Sequence, residues 1–485
     1  MSIPGLGQIV AQHAASAPAT RTITLHPFSE WRFQISPTSS ATCRLLTGTA
    51  ERDGTELAQI KTYNLTRCRS KLVSFTGATL EITGEFESEN VKHYPNQADS
   101  PFVSYLNLHF LLQARRTQSG NGHGPRVMVC GPGASGKSSL AKMLIGWATR
   151  QNEQPVLATV DPRDGMLALP GTLSAAVFAT VMDVEDPEGG VGVSCTPSSG
   201  PSAVPVKLPV GYYFGREKVE DDEQLWRDLV RRLGSSVRAK TGRDQGVRRG
   251  GVVIDTPAVE WKRGEVKVKS EDGEEQKEKG GGVEGLMHVI REFAVNIIIV
   301  LGSPELEAEL RRQNNKTPHG EPIEIVNLDR PDGVIKQDRQ HLLSSRKALI
   351  KDYFFGDSKR ALSPSVQSFS FDDVVIFRAV DGKFPRAWDP ISANMDKGLD
   401  LDDPTLVLER AEITEEMSHW TLAVMDASVN DPLETIRQAP VIGWVCVSDV
   451  DKDRRRLKIL SPVSGRLTRP MVWGRWPEPY VNLLG

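Results

Sequence analysis

The sequence has few of the features that would narrow its class at once. Its 485 residues include only five cysteines and no Cys-x-x-Cys pair, which argues against a disulfide framework or a zinc site and favours a reducing compartment. No run approaches the roughly 18 apolar residues that span a membrane, and the first residues lack the charged-then-apolar pattern of a secretion signal. The net charge of −3 excludes a basic field strong enough to draw the whole molecule onto nucleic acid. We therefore expect a cytosolic or nuclear protein without a membrane segment.

The chain is too long for one ordinary core, so several domains are expected. Residues 1–20 are small and polar, and we expect a disordered start. From Arg21, alternating apolar residues with Gly and Asp-Gly breaks predict an all-β domain over 21–117, which ends in the helix "SPFVSYLNLHFLLQARRTQ". The strands "SFSFDDVVIFRAV" and "PVIGWVCVSDVDKDRRRLKILSP" predict a mostly β domain over 339–485.

Strand–helix alternation over 118–338 predicts a central α/β domain with a parallel sheet. The strand candidates are apolar on both faces, as strands covered by helices must be: "RVMVC", "PVLATVD", "GVVIDT" and "VNIIIVLG". The apolar residues of "DEQLWRDLVRRLG" lie on one helical face: Leu225, Trp226, Leu229, Val230 and Leu233. Two low-complexity inserts, near 185–205 and 262–282, lack apolar residues to pack and are expected to be mobile surface loops.

The stretch "RVMVCGPGASGKSSLAKMLIGWAT" carries the strongest motif in the chain. From Gly131 to Ser138 it matches the P-loop (Walker A) pattern G-x-x-x-x-G-K-[ST], between a predicted strand and an amphipathic helix. Gly131, Gly133 and Gly136 would let backbone N–H groups curl around phosphates at the positive end of that helix. Lys137 would add a point charge, and the Ser138 hydroxyl would bind Mg²⁺. A structural glycine turn is the less favoured interpretation, so a nucleotide site is predicted.

The metal of such a site also needs an acidic residue, usually at the end of an adjacent strand. Asp161, in "PVLATVDPRDG", and Asp255, in "GVVIDTP", both follow predicted strands. Either aspartate could instead cap a turn. The position of Asp161 in the neighbouring strand–loop unit favours it, so Ser138 and Asp161 are the predicted metal ligands.

Several segments resemble the Clp-type polynucleotide 5′-hydroxyl kinases and pre-mRNA cleavage factors. They include "LLTGTAERDGTELA", "VDPRDGMLALPGTLSA", "PVGYYFG" and "DGVIKQDRQHLLSSRKALIKDYFFG", and the inserts and alanine-rich start resemble a fungal member. The resemblance covers nearly the whole chain. It implies an α/β fold with a central P-loop kinase-like domain, flanked by an N-terminal all-β domain and a C-terminal, mostly β domain.

The resemblance also implies where ATP binds. It assigns Glu30 and Lys71 to nucleotide contacts made from the N-terminal domain. By themselves, these two residues are more typical of solvated strand charges. The resemblance implies that six residues bind the phosphates of ATP: Ala134, Ser135, Gly136, Lys137, Ser138 and Ser139.

Active members of that family phosphorylate RNA 5′-hydroxyl ends, and the resemblance implies which residues transfer requires. Glu305, in "GSPELEAELRRQ", stands where those members have a lid arginine, and an acid there repels a triphosphate. Arg311 and Arg312 follow on the same helix and could substitute, although a solvated basic helix end is the more ordinary interpretation. Val259 stands where active members have a base-stacking tryptophan, with Trp261 displaced by two residues.

Two smaller departures point the same way. The segment Leu208-Pro209-Val210 lacks the hydroxyl usual before "YYFG", and Asp164 replaces a usual glutamine. Relative to the active kinases of that family, this chain therefore retains the residues that would bind the nucleotide. The residues that are used only in phosphoryl transfer differ. The sequence predicts an ATP- and Mg²⁺-binding nuclear subunit of the pre-mRNA cleavage factor, required for polyadenylation-dependent 3′-end cleavage but without kinase turnover.

The resemblance implies that the partners are the other cleavage-factor subunits, especially the one that binds the RNA polymerase II tail, with RNA contact left open. The alternative function is an active polyribonucleotide 5′-hydroxyl kinase that uses Lys137, Ser138 and Asp161 with Arg311 or Arg312. A P-loop GTPase is less favoured, because the chain has no Asn-Lys-x-Asp guanine motif.

Overall fold

The computed structural model describes residues 20–120, 122–163, 165–187, 207–259, 266–269, 275–278, 281–313, 316–317, 320, 322–334, 339–356, 361–379, 408–462, 465, 467–477 and 483. Predictions about Asp164, Cys195, Trp261 and most of the first insert lie outside these residues. The contacts divide the chain into two compact units. One comprises Met1–Arg52 and Glu56–Ser100, and the other comprises Asp53–Thr55 and Pro101–Gly485.

The first unit is built of two sheets whose longer strands pair antiparallel, as the alternating pattern predicts. One sheet has the order β1-β8-β3-β6 and the other β5-β4-β7-β2-β9. Alternate residues point inward, so Trp31 and Phe33 of one strand are both buried, with ring centroids 4.4 Å apart. The strands are β1 Thr20–Leu25, β2 Ser29–Gln34, β3 Ser40–Gly48, β4 Glu51–Arg52, β5 Thr55–Glu56, β6 Thr62–Thr66, β7 Arg69–Ser74, β8 Ala78–Gly84 and β9 Ser88–Lys92.

The second unit contains a seven-stranded sheet with the order β13-β12-β11-β14-β10-β17-β18. The four predicted strands are confirmed, and they pair with one another in parallel. The strands are β10 Arg126–Cys130, β11 Val156–Thr159, β12 Thr172–Val177, β13 Lys207–Tyr213, β14 Val252–Asp255, β17 Ile297–Leu301 and β18 Glu324–Leu328. Its helices are α1 Pro101–Gln118, α2 Lys137–Arg150, α3 Glu223–Arg243, α4 Gln245–Gly250, α5 Gly281–Phe293 and α6 Pro304–Arg312.

The same unit contains a second seven-stranded sheet, in the predicted C-terminal β region, with the order β19-β24-β23-β22-β25-β20-β21. Its strands are β19 Ser365–Ser370, β20 Ile376–Ala379, β21 Leu408–Arg410, β22 Thr421–Met425, β23 Val441–Asp451, β24 Arg456–Ser461 and β25 Met471–Trp473. The helices α7 Arg339–Phe355 and α8 Leu433–Arg437 accompany it. Short 3-10 helices occupy Gln97–Asp99, Val219–Asp221, Phe371–Asp373 and Glu415–Met417.

The core of the central sheet forms as the helical pattern predicts. All five apolar residues assigned to one face of α3 are buried, and they pack in one cluster with parallel-strand residues such as Met128 and Ile254. The helix extends a further two turns beyond the predicted segment, to Arg243. Burial of this face provides most of the driving force that holds α3 on the sheet.

The second insert differs from the predicted surface loop, because it contains an antiparallel hairpin of β15 Val266–Lys269 and β16 Glu275–Glu278. The alternating "VKVK" supplies the period-two pattern of a strand, which low overall hydrophobicity obscured. By its contacts the helix α1 groups with the second compact unit, and the boundary of the N-terminal domain at residue 117 stays a prediction. Within the described ranges, no helix is both long enough and apolar enough to span a membrane.

Candidate nucleotide-binding site

The predicted phosphate loop connects the carboxyl end of β10 to the start of α2. Gly136 caps that helix with φ of 93°, and Ala134 also takes a left-handed φ of 50°. These conformations turn the chain sharply, so that the loop wraps the helix N-terminus. Ser138 and Ser139 lie in the first turn of α2, where Ser139 is exposed.

Glycine is required where the loop leaves the sheet. A Cβ on Gly131 would lie 2.5 Å from the carbonyl oxygen of Leu301 on the neighbouring strand β17, and its φ is 151°. Among the described residues, a Cβ on Gly133 would meet only Ala258, at 3.9 Å. In the described part of the chain, Gly133 is therefore open on the side of its missing Cβ.

Lys137 lies over the loop that precedes it. Its side chain is only 8% exposed, and its Nζ donates to the carbonyl oxygens of Gly131 (3.3 Å) and Pro132 (2.9 Å). The ammonium group is thus already held beside the loop. The hydroxyl of Ser135 is buried and makes no hydrogen bond to any residue that the structure describes. A buried hydroxyl without a partner costs free energy, and a phosphate oxygen would satisfy it.

The structure places Asp255, not Asp161, against the predicted metal-binding serine. Ser138 Oγ donates to Asp255 Oδ2 at 2.6 Å, and Asp255 is buried at the end of β14, next to β10. A short hydroxyl–carboxylate contact beside a P-loop is the arrangement that shares a Mg²⁺ ion. Sequence reasoning ranked Asp255 second because it could not tell which strand pairs with β10.

Asp161 lies one strand further from the loop and is engaged locally. Its carboxylate accepts hydrogen bonds from Arg163 Nε (3.1 Å), Arg163 Nη2 (2.9 Å) and the Arg163 backbone N–H (3.0 Å). β11, which precedes it, pairs with β14 and not with β10. The assignment of Asp161 to the metal stays a prediction. No sequence pattern identified Arg163 as the hydrogen-bond partner of Asp161, because that contact depends on the conformation of this turn.

The helix that follows β17 carries the lid positions. Glu305 is exposed in the first turn of α6. Ser303 caps this helix, and its hydroxyl donates to the Glu305 carboxylate at 3.4 Å. An acid is favourable at that end of a helix. Arg311 and Arg312 lie six and seven residues further on, about 9 Å along the helix axis.

Both arginines are paired with acids of α6 itself. Arg311 contacts Glu307 at 2.9 Å and donates to the carbonyl oxygen of Ile325 at 2.9 Å, while Arg312 contacts Glu309 at 2.7 Å. Ile325 is the second residue of β18, and through Ile298 it is in register with Met128 at the middle of β10. The contacts given for the two arginines therefore lie on α6 and β18 and not at the phosphate loop.

The position of the expected stacking residue is part of the core. Val259 is only 7% exposed, packs in the apolar cluster of the central sheet, and donates its N–H to the Gly131 carbonyl at 3.1 Å. A buried valine offers no aromatic face to a base. Val210 of the changed "LPV" segment lies on β13, partly buried against the same cluster.

Two residues of the N-terminal domain are predicted to contact the nucleotide, and they lie on neighbouring strands of the first unit. Glu30, on β2, is 2% exposed and accepts from Arg32 Nε at 2.8 Å and from the Tyr94 hydroxyl at 3.0 Å. Lys71 is half-buried on β7, in register with Arg32. Glu30 is thus not a solvated strand charge, although its assigned contact with a nucleotide stays a prediction.

The described residues contain no cluster of metal ligands: no group of three or more His, Cys, Asp or Glu among them could hold a metal ion. A P-loop does not need such a group, since nucleotide phosphates and water supply most ligands of its Mg²⁺. The fold and the site define a P-loop nucleotide-binding protein, in which a strand–loop–helix unit is built into a mainly parallel sheet.

Comparison with known proteins narrows this class. Family models match three successive regions: the N-terminal β-sandwich domain of polyadenylation factor (24–119), the mRNA cleavage and polyadenylation factor CLP1 P-loop (131–269 and 278–356), and pre-mRNA cleavage complex II protein Clp1 (362–478). The chain belongs to the Clp1 family of mRNA cleavage and polyadenylation factors.

Full-length relatives agree with this assignment. The chain is 50% identical to the mRNA cleavage and polyadenylation factor CLP1 of Chaetomium globosum and 47% identical to that of Neurospora crassa, with 100% of each chain covered. A solved structure of a Clp1p–Pcf11p complex has a TM-score of 0.78 at 23% identity, covering 95% of this chain and 99% of that one. A second, described as an extended interface between Pcf11p and Clp1p and the structural basis for ATP loss in a point mutant, has a TM-score of 0.77 at 22% identity. At these identities the structural likeness concerns the fold.

Proposed function

We propose that this chain is an ATP-binding subunit of the nuclear pre-mRNA 3′-end cleavage machinery that holds its nucleotide without transferring the γ-phosphate. One observation carries the proposal. The residues proposed to hold phosphate lie around the loop, with Lys137 over it and Ser138 against Asp255, whereas both candidate lid arginines are paired with glutamates on α6.

The described residues fit an ATP–Mg²⁺ group. Phosphate oxygens are suited to the open side of Gly133, to the Lys137 ammonium group and to the Ser135 hydroxyl, which has no partner among the described residues. Ser138 with Asp255 is suited to the metal. Ser138 and Asp255 would hold Mg²⁺, which would supply positive charge that offsets the negative charge of the phosphates. A ligand held this way stabilises the folded protein, by about 2.7 kcal/mol at a concentration a hundredfold above Kd.

A kinase would need further elements at this site. Positive charge on the moving phosphoryl group is worth roughly 10³–10⁵ in rate where an arginine supplies it. At the lid position this chain has an exposed glutamate, and at the base-stacking position it has a buried valine. These features support a nucleotide that acts as a structural ligand.

The first experiment tests holding against transfer. The purified protein would be denatured and its nucleotide identified, and fresh protein would be incubated with γ-labelled ATP and a 5′-hydroxyl oligoribonucleotide. We expect intact ATP and unlabelled RNA from the wild type and from Lys142→Ala, a control on the same helix. Lys137→Ala should lose most of its ATP. RNA labelling that depends on Lys137 would overturn the proposal in favour of a kinase.

A second variant tests whether the chain lacks one or several of the residues that phosphoryl transfer requires. Glu305→Arg restores the lid charge and leaves Val259 and the other positions unchanged. If several elements are missing, this variant should remain inactive while still binding ATP. A clear gain of RNA labelling would mean that the rest of the transfer site is intact, and the proposed loss of catalysis would then rest on one residue only.

We propose that the chain also binds a Pcf11-type subunit. The support is that the two solved neighbours contain Clp1p with Pcf11p and that the chain matches them over 95% of its length. Co-expression with the Pcf11-type protein of the same organism should give one co-eluting complex in size-exclusion chromatography. Separate elution at micromolar concentration would contradict this part of the proposal without affecting ATP binding.

The proposed nuclear location has its own test. A fluorescent fusion of the protein should concentrate in the nucleus, and exclusion of the fusion from the nucleus would contradict the proposed location.

A further inference from the structure

The segment that follows β18 borders the phosphate loop on its β17 side. Two glycines of the loop lie close to this side. A Cβ on Gly131 would lie 2.5 Å from the Leu301 carbonyl oxygen, and a Cβ on Gly136 would lie 3.2 Å from Cγ2 of Val334. The segment 329–334 therefore returns from β18, at the edge of the sheet, to the start of α2.

Arg330 lies in this segment, packed against the residue that ends β17. Gly302 follows that strand with a positive φ of 64°, and a Cβ there would lie 2.7 Å from Cβ of Arg330. The Gly302 N–H donates to the Leu328 carbonyl at 2.9 Å. Glycine at this position therefore allows the backbone of Arg330 to approach closely. Because β17 pairs with β10, the Arg330 side chain starts beside the strand next to the phosphate loop.

The guanidinium of Arg330 is directed along the segment toward the loop. Its Nη2 donates to the Val334 carbonyl at 3.4 Å, and Val334 is the residue whose side chain faces Gly136. Although Asp329 and Asp332 flank Arg330 in sequence, no acid among the described residues forms an ion pair with Arg330. The charge of this guanidinium is therefore oriented by a carbonyl oxygen, which does not cancel it.

Most of the hydrogen-bonding capacity of Arg330 is unused. A guanidinium has five N–H donors, and the contacts among the described residues use one of them. The two candidate lid arginines, Arg311 and Arg312, are instead paired with glutamates on α6. The planar fork of an arginine matches the geometry of phosphate oxygens, and hydrogen bonds between the two are charge-assisted. Arg330 is thus suited to an anionic ligand seated on the phosphate loop.

We propose that Arg330 binds the phosphate chain of the nucleotide from the β17 side of the loop. This inference rests on the proposed ATP-binding function and adds a contact to it. Ser138 and Asp255, which would hold the metal, lie on the β14 side. Positive charge would then be available on both sides of the phosphates, where it offsets their mutual repulsion. Such a contact holds the nucleotide and does not restore the lid charge that transfer requires.

The test compares ATP with inorganic tripolyphosphate, which has a phosphate chain but no base or sugar. The full-length protein, freed of nucleotide, would be titrated with each ligand by calorimetry in the presence of Mg²⁺. We expect Arg330→Gln to weaken the binding of both ligands about tenfold or more, because charge-assisted hydrogen bonds are lost. Arg330→Lys keeps the charge without the planar fork, so its affinities should lie between those of the wild type and Arg330→Gln.

Arg115→Gln is the matched control. Arg115 is an exposed arginine that contacts Glu324 at 2.9 Å, at the other end of β18. This variant should bind both ligands as the wild type does. Since Arg330 is also exposed, the melting temperature of ligand-free Arg330→Gln should equal that of the wild type, which separates a lost contact from misfolding. Arg330→Lys gives a second measurement if the glutamine variant folds poorly.

The outcomes separate this inference from the function on which it rests. Equal affinities of the wild type and Arg330→Gln for ATP would overturn the inference and leave the proposed ATP binding intact. An effect confined to ATP would also overturn it, whether tripolyphosphate binds both proteins equally or neither, because the guanidinium would then contact the base or the sugar. Failure of the wild type to bind ATP would contradict the proposed function itself.

Discussion

At the residue scale, the phosphate loop shows two different reasons for a glycine. Gly131 is required by the protein itself, because a Cβ there would collide with the Leu301 carbonyl at 2.5 Å. Gly133 faces space in which a Cβ would meet only Ala258 at 3.9 Å, so the folded chain alone does not demand glycine there. The requirement at Gly133 would come from the ligand.

Alanine at these two positions should separate the two requirements. Gly131→Ala combines a backbone clash with a positive φ, so the free energy of unfolding should fall by about 2 kcal/mol or more. Gly133→Ala should change it by less than about 0.5 kcal/mol but should weaken ATP binding. Urea denaturation and nucleotide titration of both variants check this. An equally destabilised Gly133→Ala protein would show that the ligand-free loop is tighter than the structure indicates.

The two aspartates near the loop can be distinguished in the same way. Asp255→Asn should remove most of the Mg²⁺ enhancement of ATP affinity, because Asp255 contacts the Ser138 hydroxyl. Asp161→Asn should break the Arg163 pair and leave most of the Mg²⁺ effect. ATP titrations with Mg²⁺ and with EDTA measure the difference. If Asp161→Asn shows the larger loss, the original assignment of the metal to Asp161 is right.

At the element scale, the packing of α1 on α2 encloses a histidine. His109 of α1 is 3% exposed, with its ring 5.4 Å from that of Trp147 and its Nε2 3.1 Å from Gln151 Nε2. Burial, with smaller contributions from the positive charges of Arg116 and Arg150, lowers the pKa of His109 from 6.5 to about 4. The folded protein therefore holds His109 neutral.

This depressed pKa predicts an acid-sensitive contact between α1 and α2. The unfolded chain takes up a proton near pH 6.5 and the folded chain only near pH 4, so the free energy of unfolding should fall as pH decreases through that window. His109→Gln should show a shallower fall. Denaturation curves from pH 7 to about 4.5 check this. His288, whose pKa burial also lowers, is present in both proteins and cancels in the comparison. Identical pH profiles would contradict the prediction.

Elements were predictable from sequence where a local pattern is strong. The apolar runs of the four parallel strands and the one-sided helix α3 need only their own residues to be identified. The strands β12 and β13 were missed because they extend the parallel sheet antiparallel, with turn residues such as Pro170 and Gly171 before the first. Their assignment depends on pairing with residues distant in sequence, and a local pattern does not contain that information.

At the scale of the whole molecule, a buried arginine joins the C-terminal sheet region to the central sheet. Arg437 of α8 is 1% exposed, and its guanidinium donates to the carbonyls of Tyr213 and Phe214 at the end of β13. The Tyr213 hydroxyl donates to the Trp476 carbonyl at 2.8 Å, and Arg346 lies over the Trp476 ring at 4.1 Å. This network explains why the two sheets form one compact unit.

Removing the Arg437 guanidinium should lower the free energy of unfolding of the second unit. Arg437→Met leaves two buried carbonyls without these donors, at about 1–3 kcal/mol each, so the free energy of unfolding should fall by about 3 kcal/mol. Arg232→Gln is the control, because Arg232 contacts Gln438 between the same regions but is exposed. It should change stability by less than about 0.5 kcal/mol. Equal effects of the two variants in denaturation experiments would contradict a special role for Arg437.

Buried thiols are distributed over both units and should be unreactive. Burial raises the pKa of Cys43, Cys130 and Cys446 to about 12, and Cys68 is also buried. In a Cys195→Ser variant, a thiol reagent at pH 8 should react with the folded protein far more slowly than with protein in guanidinium chloride. Rapid reaction of the native protein would show that at least one of these cores opens readily.

The sequence by itself determined the phosphate loop, the parallel strands around it and the family resemblance, because each depends on residues close together in the chain. Tertiary structure decided which acid meets Ser138, because β14 rather than β11 lies beside β10. It also decided that Arg311 and Arg312 pair with acids on their own helix. These outcomes depend on strand order and helix orientation, which long-range packing sets and local spacing does not encode.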